Sequence, residues 1–146
     1  MYEIPRLIDV NAKSKLIRDK DKLLIIGRCV EIEHLGILNK YIEQGYAVLS
    51  VCLEAEHVNM VGFKLASILA RNDFSEVTIL TVDGSMHCTQ LHWMVEEVFK
   101  IMRPASIKRK HIVIYKGREC LIDEKTVKIS RFLYRIQKLL RNREDR

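Results

Sequence analysis

Three near-continuous apolar runs constrain this chain most: Lys22 to Gly27 (KLLIIG), Tyr46 to Cys52 (YAVLSVC) and Glu76 to Val82 (EVTILTV). None alternates apolar with polar residues. A strand that is apolar on both sides is covered on both faces, which is the situation in a parallel sheet sandwiched between helices. His111 to Tyr115 (HIVIY) reads as a fourth strand, and Cys120 to Asp123, after the turn-like KGRE, as a short returning edge strand.

Helical periodicity fills the intervals. Glu33 to Gln44 carries Leu35, Leu38 and Ile42 and stops at Gly45, a residue suited to a helix C-terminus. His57 to Arg71 and Met86 to Met102 are amphipathic, the latter followed by Pro104. Glu124 to Asn142 reads as one long basic helix with Ile129, Phe132, Leu133, Ile136 and Leu140 on an apolar face expected to pack on the sheet. In residues 1–20, Ile4 to Val10 is expected to form an edge strand and Asn11 to Arg18 a short helix. The alternation predicts one α/β domain over residues 1–146. It is a three-layer, Rossmann/flavodoxin-like sandwich with a mostly parallel sheet of four to five strands and core order 2-1-3-4. Ligands in such folds sit beyond the carboxyl ends of the strands, where the order reverses.

Composition narrows the function classes. The 146 residues are 48% hydrophobic and 30% charged, with only six Gly and two Pro, so the chain is neither fibrous nor disordered. No run approaches the length of a membrane span, and the N-terminus has no basic segment followed by an apolar one. A cytoplasmic, reducing location is therefore expected, with the four cysteines unpaired. Few Asn and Gln beside many Lys, Arg, Glu and Ile lean towards a thermophilic source. Charge is lopsided. Lys100 to Arg146 holds 15 Lys/Arg against 5 Asp/Glu, a balance of +10, whereas residues 1–99 balance at −4. The stripe of Lys128, Arg131, Arg135 and Lys138 is either a solvated face or a surface for nucleic acid, an anionic membrane or an acidic partner, such as a redox complex. Nucleic acid is not expected, since base stacking wants more aromatic surface than Tyr134 supplies beside the stripe. An exposed edge strand would allow a homodimer.

The switch-point rule gives the cysteines meaning. Cys29 follows strand 1, Cys52 ends strand 2, and Cys88 lies in the first turn of the helix after strand 3. His57, His87 and His92 cluster with them in sequence. In TVDGSMHCTQLH, Asp83 and Gly84 make the turn and Ser85 is the expected N-cap. Cys88 then sits among free backbone N–H groups that stabilise a thiolate, with His92 one turn on along the same face. Thiol and imidazole so placed serve either as a redox pair, with Cys88, Cys52 and His92 in the catalytic roles, or as metal ligands. The ligand set would be Cys52, Cys88, His57, His87 and His92, with Cys29 a further candidate. The Asp83–Gly84–Ser85 loop could alternatively cradle an anion or nucleotide. However, GRCVEIEH after strand 1 is not a Gly-x-Gly-x-x-Gly fingerprint, and no Walker A or Gly-x-Ser-x-Gly pattern occurs. Packing offers a competing account of the same residues. Free cysteine behaves as a small core side chain, His92 falls beside Leu91 and Val95, and Glu96 and Glu97 read as solvent-facing.

Gly45 to Lys100 resembles a small α/β domain of thermophilic archaea and anaerobic bacteria, sometimes labelled as iron–sulfur or ferredoxin-associated. The matching runs are Cys52 to Asn59 (CLEAEHVN) and Asp83 to Cys88 (DGSMHC). The resemblance brings no established activity with it; a metal ion or iron–sulfur cluster held by the thiols is expected from the cysteines at three strand ends, and an accessory role beside a redox complex from the basic C-terminal face. The chain itself lacks the Cys-x-x-Cys-x-x-Cys run of bacterial ferredoxins.

Overall fold

The computed structural model describes residues 1–144, and Arg6 already bridges to the sheet at Ser50. Five strands form one sheet in the order β2-β1-β3-β4-β5: β1 Lys22–Gly27, β2 Ala47–Val51, β3 Glu76–Val82, β4 Lys108–Tyr115 and β5 Arg118–Ile122. The first four are parallel, and β5 returns antiparallel to β4. Among the described residues the α-helices are α1 Val30–Glu33, α2 Leu35–Glu43, α3 Val58–Arg71, α4 Met86–Met102, α5 Glu124–Ile129 and α6 Leu133–Glu144.

Alternate residues of the central strands serve opposite layers. Leu23 and Ile25 join Val61, Leu65, Leu91 and Val95 of α3 and α4 on one face. Leu24, Ile26 and Leu80 join Val30 and Leu38 of α1 and α2 on the other. This double burial is why the runs do not alternate apolar with polar residues; the Ser50, Thr78 and Thr81 within them are buried like their apolar neighbours. Gly45 takes φ 87°, a left-handed value that lets the chain leave α2 and enter β2. Lys116 and Gly117 both have positive φ (49° and 75°), the backbone of a tight two-residue hairpin between β4 and β5.

Four local expectations are corrected. β4 begins at Lys108 rather than His111, because Lys108, Arg109 and Lys110 pair with Glu76, Val77 and Thr78 despite their charge. Residues 4–10 make only the Arg6–Ser50 bridge before a 3-10 turn at Leu7–Asp9. Asn11 to Arg18 forms successive turns instead of a helix. There the Asn11 Oδ1 and Ser14 Oγ accept from the backbone N–H groups of Lys13 and Leu16, local side-chain bonds that favour turns.

The fourth correction concerns the basic C-terminal helix, which breaks at Ser130–Phe132 into α5 and α6. Ser130 Oγ donates to the Val127 carbonyl at 2.6 Å and accepts from Trp93 Nε1 at 2.7 Å. The Phe132 N–H donates to Ile129 O, a three-residue bond that tightens the last turn. Buried Val127 docks α5 against α4, but the apolar face of α6 does not pack on the sheet. Among the described residues no helix is long and apolar enough to cross a membrane.

Candidate functional site

The strand order reverses between β1 and its neighbours β2 and β3, and the three loops leaving their carboxyl ends converge there. Cys29, Cys52 and Cys88 line one small pocket of about 60 Å³ together with Arg28, Ser85 and His87. Cys29 opens α1, Cys52 directly follows β2, and Cys88 is the third residue of α4. Ser85 is the N-cap of α4, its Oγ accepting from the Cys88 N–H at 3.4 Å. All four cysteines are free thiols, and Cys120 lies apart on β5.

Gly27 lets the cysteine of α4 approach β1. A Cβ at Gly27 would lie 3.2 Å from Cys88 Sγ and 3.6 Å from Thr81 Cγ2. Gly27→Ala is therefore expected to push the Cys88 sulfur outward by a few tenths of an ångström. Alkylation rates of Cys88 in the two chains check this; an unchanged rate means that the sulfur is not confined by β1.

A buried ion pair holds the loops of Cys29 and Cys52 together. The Arg28 guanidinium donates to Glu56, whose side chain is 3% exposed. The other Glu56 oxygen accepts from the Cys52 N–H at 3.2 Å, and Arg6 approaches at 3.5 Å. Arg28 Nε is buried with no hydrogen-bond partner. Burial, the neighbouring Cys52 and Cys88 sulfurs and the Glu33 carboxylate push the Cys29 thiol up, although the residue as a whole is exposed.

The expected imidazoles separate. His87 lines the pocket. His57 caps α3 from an exposed position, its Nδ1 accepting from the Asn59 N–H at 3.1 Å, and it does not line the pocket. Asp83 and Gly84 form an exposed turn outside it, Gly84 at φ 99°. His92 is a core residue rather than a partner of Cys88. Its Nε2 lies 2.8 Å from Thr81 Oγ1, and its Nδ1 2.8 Å from Nδ1 of buried His111. His111 Nε2 in turn lies 2.7 Å from Glu96 Oε2, and Arg109 donates to the same carboxylate. One proton arrangement satisfies every group: Thr81 O–H to His92, His92 N–H to His111, His111 N–H to Glu96. Glu96 is thus a network member and not a purely solvent-facing residue. Burial, then His111, pushes His92 down to about 3. Burial raises Glu96, but the hydrogen bonds from His111 and Arg109 outweigh it and hold the carboxyl at about 2.

The residues do not fit a preformed metal or cluster site. Among the described residues, no three His, Cys, Asp or Glu side chains form a group that could hold an ion. Sequence reasoning overlooked Arg28, Glu56, Thr81 and His111; the only local signal was Glu56, four residues after Cys52.

No curated protein matches the chain. The model of a family described as a Rossmann-like domain matches residues 15–144, a span that includes all five strands and the three pocket cysteines. With most of its length matched and its strands in the expected order, the chain belongs to the Rossmann-like domain family.

Proposed function

We propose that the carboxyl edge of the sheet is a thiol redox site in which Cys88 is the attacking sulfur and Cys29 or Cys52 the resolving one. The observation that carries this reading is the meeting of three thiols, from three separate strand ends, in one pocket of about 60 Å³. The pocket has room for a small sulfur species or the tip of a side chain. The Cys88 thiolate attacks an incoming low-molecular-weight disulfide, bonds to one sulfur and releases the other as a thiolate. A second cysteine thiolate then attacks the Cys88 sulfur, closes an internal disulfide and releases the remaining half. Two protein thiols are oxidised, one disulfide is reduced, and the two cysteine protons pass to the two leaving thiolates. Sulfur transfer is the variant in which the incoming species is a persulfide and Cys88 keeps its outer sulfur. Arg28 and Glu56 position the loops, and His87 is the imidazole at the pocket.

The test is oxidation of the reduced full chain with oxidised glutathione, followed by thiol counting and peptide mapping. Two thiols are expected to disappear together as a disulfide joining two of Cys29, Cys52 and Cys88, while Cys120 stays free or carries glutathione. Cys88→Ser should abolish the internal disulfide. Independent glutathione adducts with no internal bond would sink the reading. Stoichiometric zinc, or iron with sulfide, that disappears in Cys52→Ser and Cys88→Ser would replace it with metal binding.

A further inference from the structure

The break at Ser130–Phe132 leaves α6 almost wholly exposed, with no packed partner among the described residues. From Leu133 to Arg143 only Ile136 is half-buried; every other residue is exposed, Leu133 at 81% and Leu139 at 56%. Yet the helix is strongly two-sided. At about 100° per residue, Phe132, Leu133, Ile136, Leu139 and Leu140 fall within one arc of roughly 120°. Arg131, Arg135, Lys138 and Arg141 occupy the other side, and Arg143 in the last turn is the one cation on the apolar side. From Glu124 to Arg143 there are seven Lys/Arg and a single acidic residue, Glu124 itself.

We propose that α6 lies in the surface of an anionic lipid bilayer, its leucine arc sunk among the acyl chains and its cations on the headgroups. A short apolar arc flanked by cations, on a helix too polar to span, is the pattern of an interfacial helix. The cations are spaced along the whole helix rather than gathered at one spot, which matches a continuous anionic plane. Their stems can lie along the apolar arc while the heads reach outward. The Arg135 and Arg131 guanidinium groups already sit 4.6 Å and 5.6 Å from the Phe132 ring centroid. Nucleic acid would bind the cations but leave the leucine arc in water. Pairing α6 with α6 of a second copy would cover the arc but bring two cation-rich helices together. The groove of about 710 Å³ between α3 and α4, with Arg131 at its rim, could receive α6 of a second copy, but Glu97 is its only acidic lining residue against five described cations from Arg131 to Arg143.

Flotation of the full chain with vesicles tests this, using phosphatidylcholine alone and an equimolar mixture with phosphatidylglycerol. The chain should float with the mixed vesicles at low salt, much less with the neutral ones, and detach as salt rises. Arg135→Glu with Lys138→Glu should weaken binding by about twenty-five-fold or more, since each surface cation is worth about fivefold. Leu133→Glu with Leu140→Glu should abolish it. Neither pair should shift the thermal unfolding midpoint, because these side chains touch little else. Absence of flotation at low salt, equal flotation with neutral vesicles, or unchanged binding of the leucine variant each overturns the proposal. A concentration-dependent dimer that Leu133→Glu dissociates, with no vesicle binding, would assign the arc to a second copy instead.

Discussion

Replacing Glu56 with alanine should lower the thermal unfolding midpoint by roughly 10 °C or more. The carboxylate is 3% exposed and serves Arg28, Arg6 and the Cys52 N–H at once. Its removal strands a guanidinium whose side chain is only 17% exposed and whose Nε already has no partner. Breaking a buried pair on one side costs about 3 to 5 kcal/mol, mostly because the remaining charge stays desolvated. In a domain of this size each kilocalorie moves the midpoint by about 3 °C. Glu54→Ala, at an exposed neighbour in the same loop, should change stability by less than about 0.5 kcal/mol. Circular dichroism melts of the two variants decide the matter; equal midpoints would show that the pair does not hold the loops. The same melts separate folding from chemistry. In folded Glu56→Ala protein at low temperature, the internal disulfide should still form, but more slowly, because the loops that carry the resolving candidates Cys29 and Cys52 have lost their tie.

The second large effect is on acid stability. The stability of the chain should fall continuously from about pH 6.5 towards pH 2, with the histidine network responsible for the upper part. His92 ordinarily titrates near 6.5, and burial beside His111 lowers it to about 3. Between those values the unfolded chain binds a proton that the folded chain refuses, so stability drops as pH falls. Each unit is worth about 1.4 kcal/mol, which makes the full effect a few kilocalories. Glu96, held at about 2 against an ordinary 4.5, acts in the same direction but only below pH 4.5. Water still reaches this carboxylate, so its share is smaller than its shift implies. Glu76, Glu119 and Asp123, also lowered, join it there. The interval from pH 6.5 to 4.5 therefore isolates the histidine. Urea unfolding of His92→Gln should give a lower stability at pH 7 but a flatter profile through that interval. Two parallel profiles would mean that His92 is not excluded from protonation in the folded state.

His92 also marks the boundary of what the sequence could reveal. Its spacing of four from Cys88 placed both on one helical face, and that much holds. A helical face, however, is wide enough to address two different neighbours. Cys88 meets the β1 end at Gly27, while His92 reaches Thr81 of β3 and His111 of β4. No spacing rule distinguishes these, because the partners come from strands 11 and 19 residues away. His57 shows the same limit. It sits five residues after Cys52, yet its imidazole turns back to cap its own helix.

What the sequence determined by itself was the architecture and the address of the site. Apolar runs without alternation demand cover on both faces, helical patterns between them supply it, and right-handed crossovers leave few orders. β1, β3 and α4 begin and end where the residues alone put them, and three cysteines were legible at three strand ends. These features are local and periodic, so they survive in one dimension. Only the tertiary structure decided which groups meet at the site, because Arg28 and Glu56 are joined across 28 residues by a charge pair that no spacing rule links. It also decided the fate of the C-terminal helix. The periodicity from Glu124 to Asn142 is continuous, but Trp93 of α4 engages Ser130, the helix stops there, and the apolar stripe of α6 is left facing outward. Amphipathicity specifies an apolar face, not what covers it; the sheet already had its cover, so among the described residues the apolar stripe of α6 stays exposed.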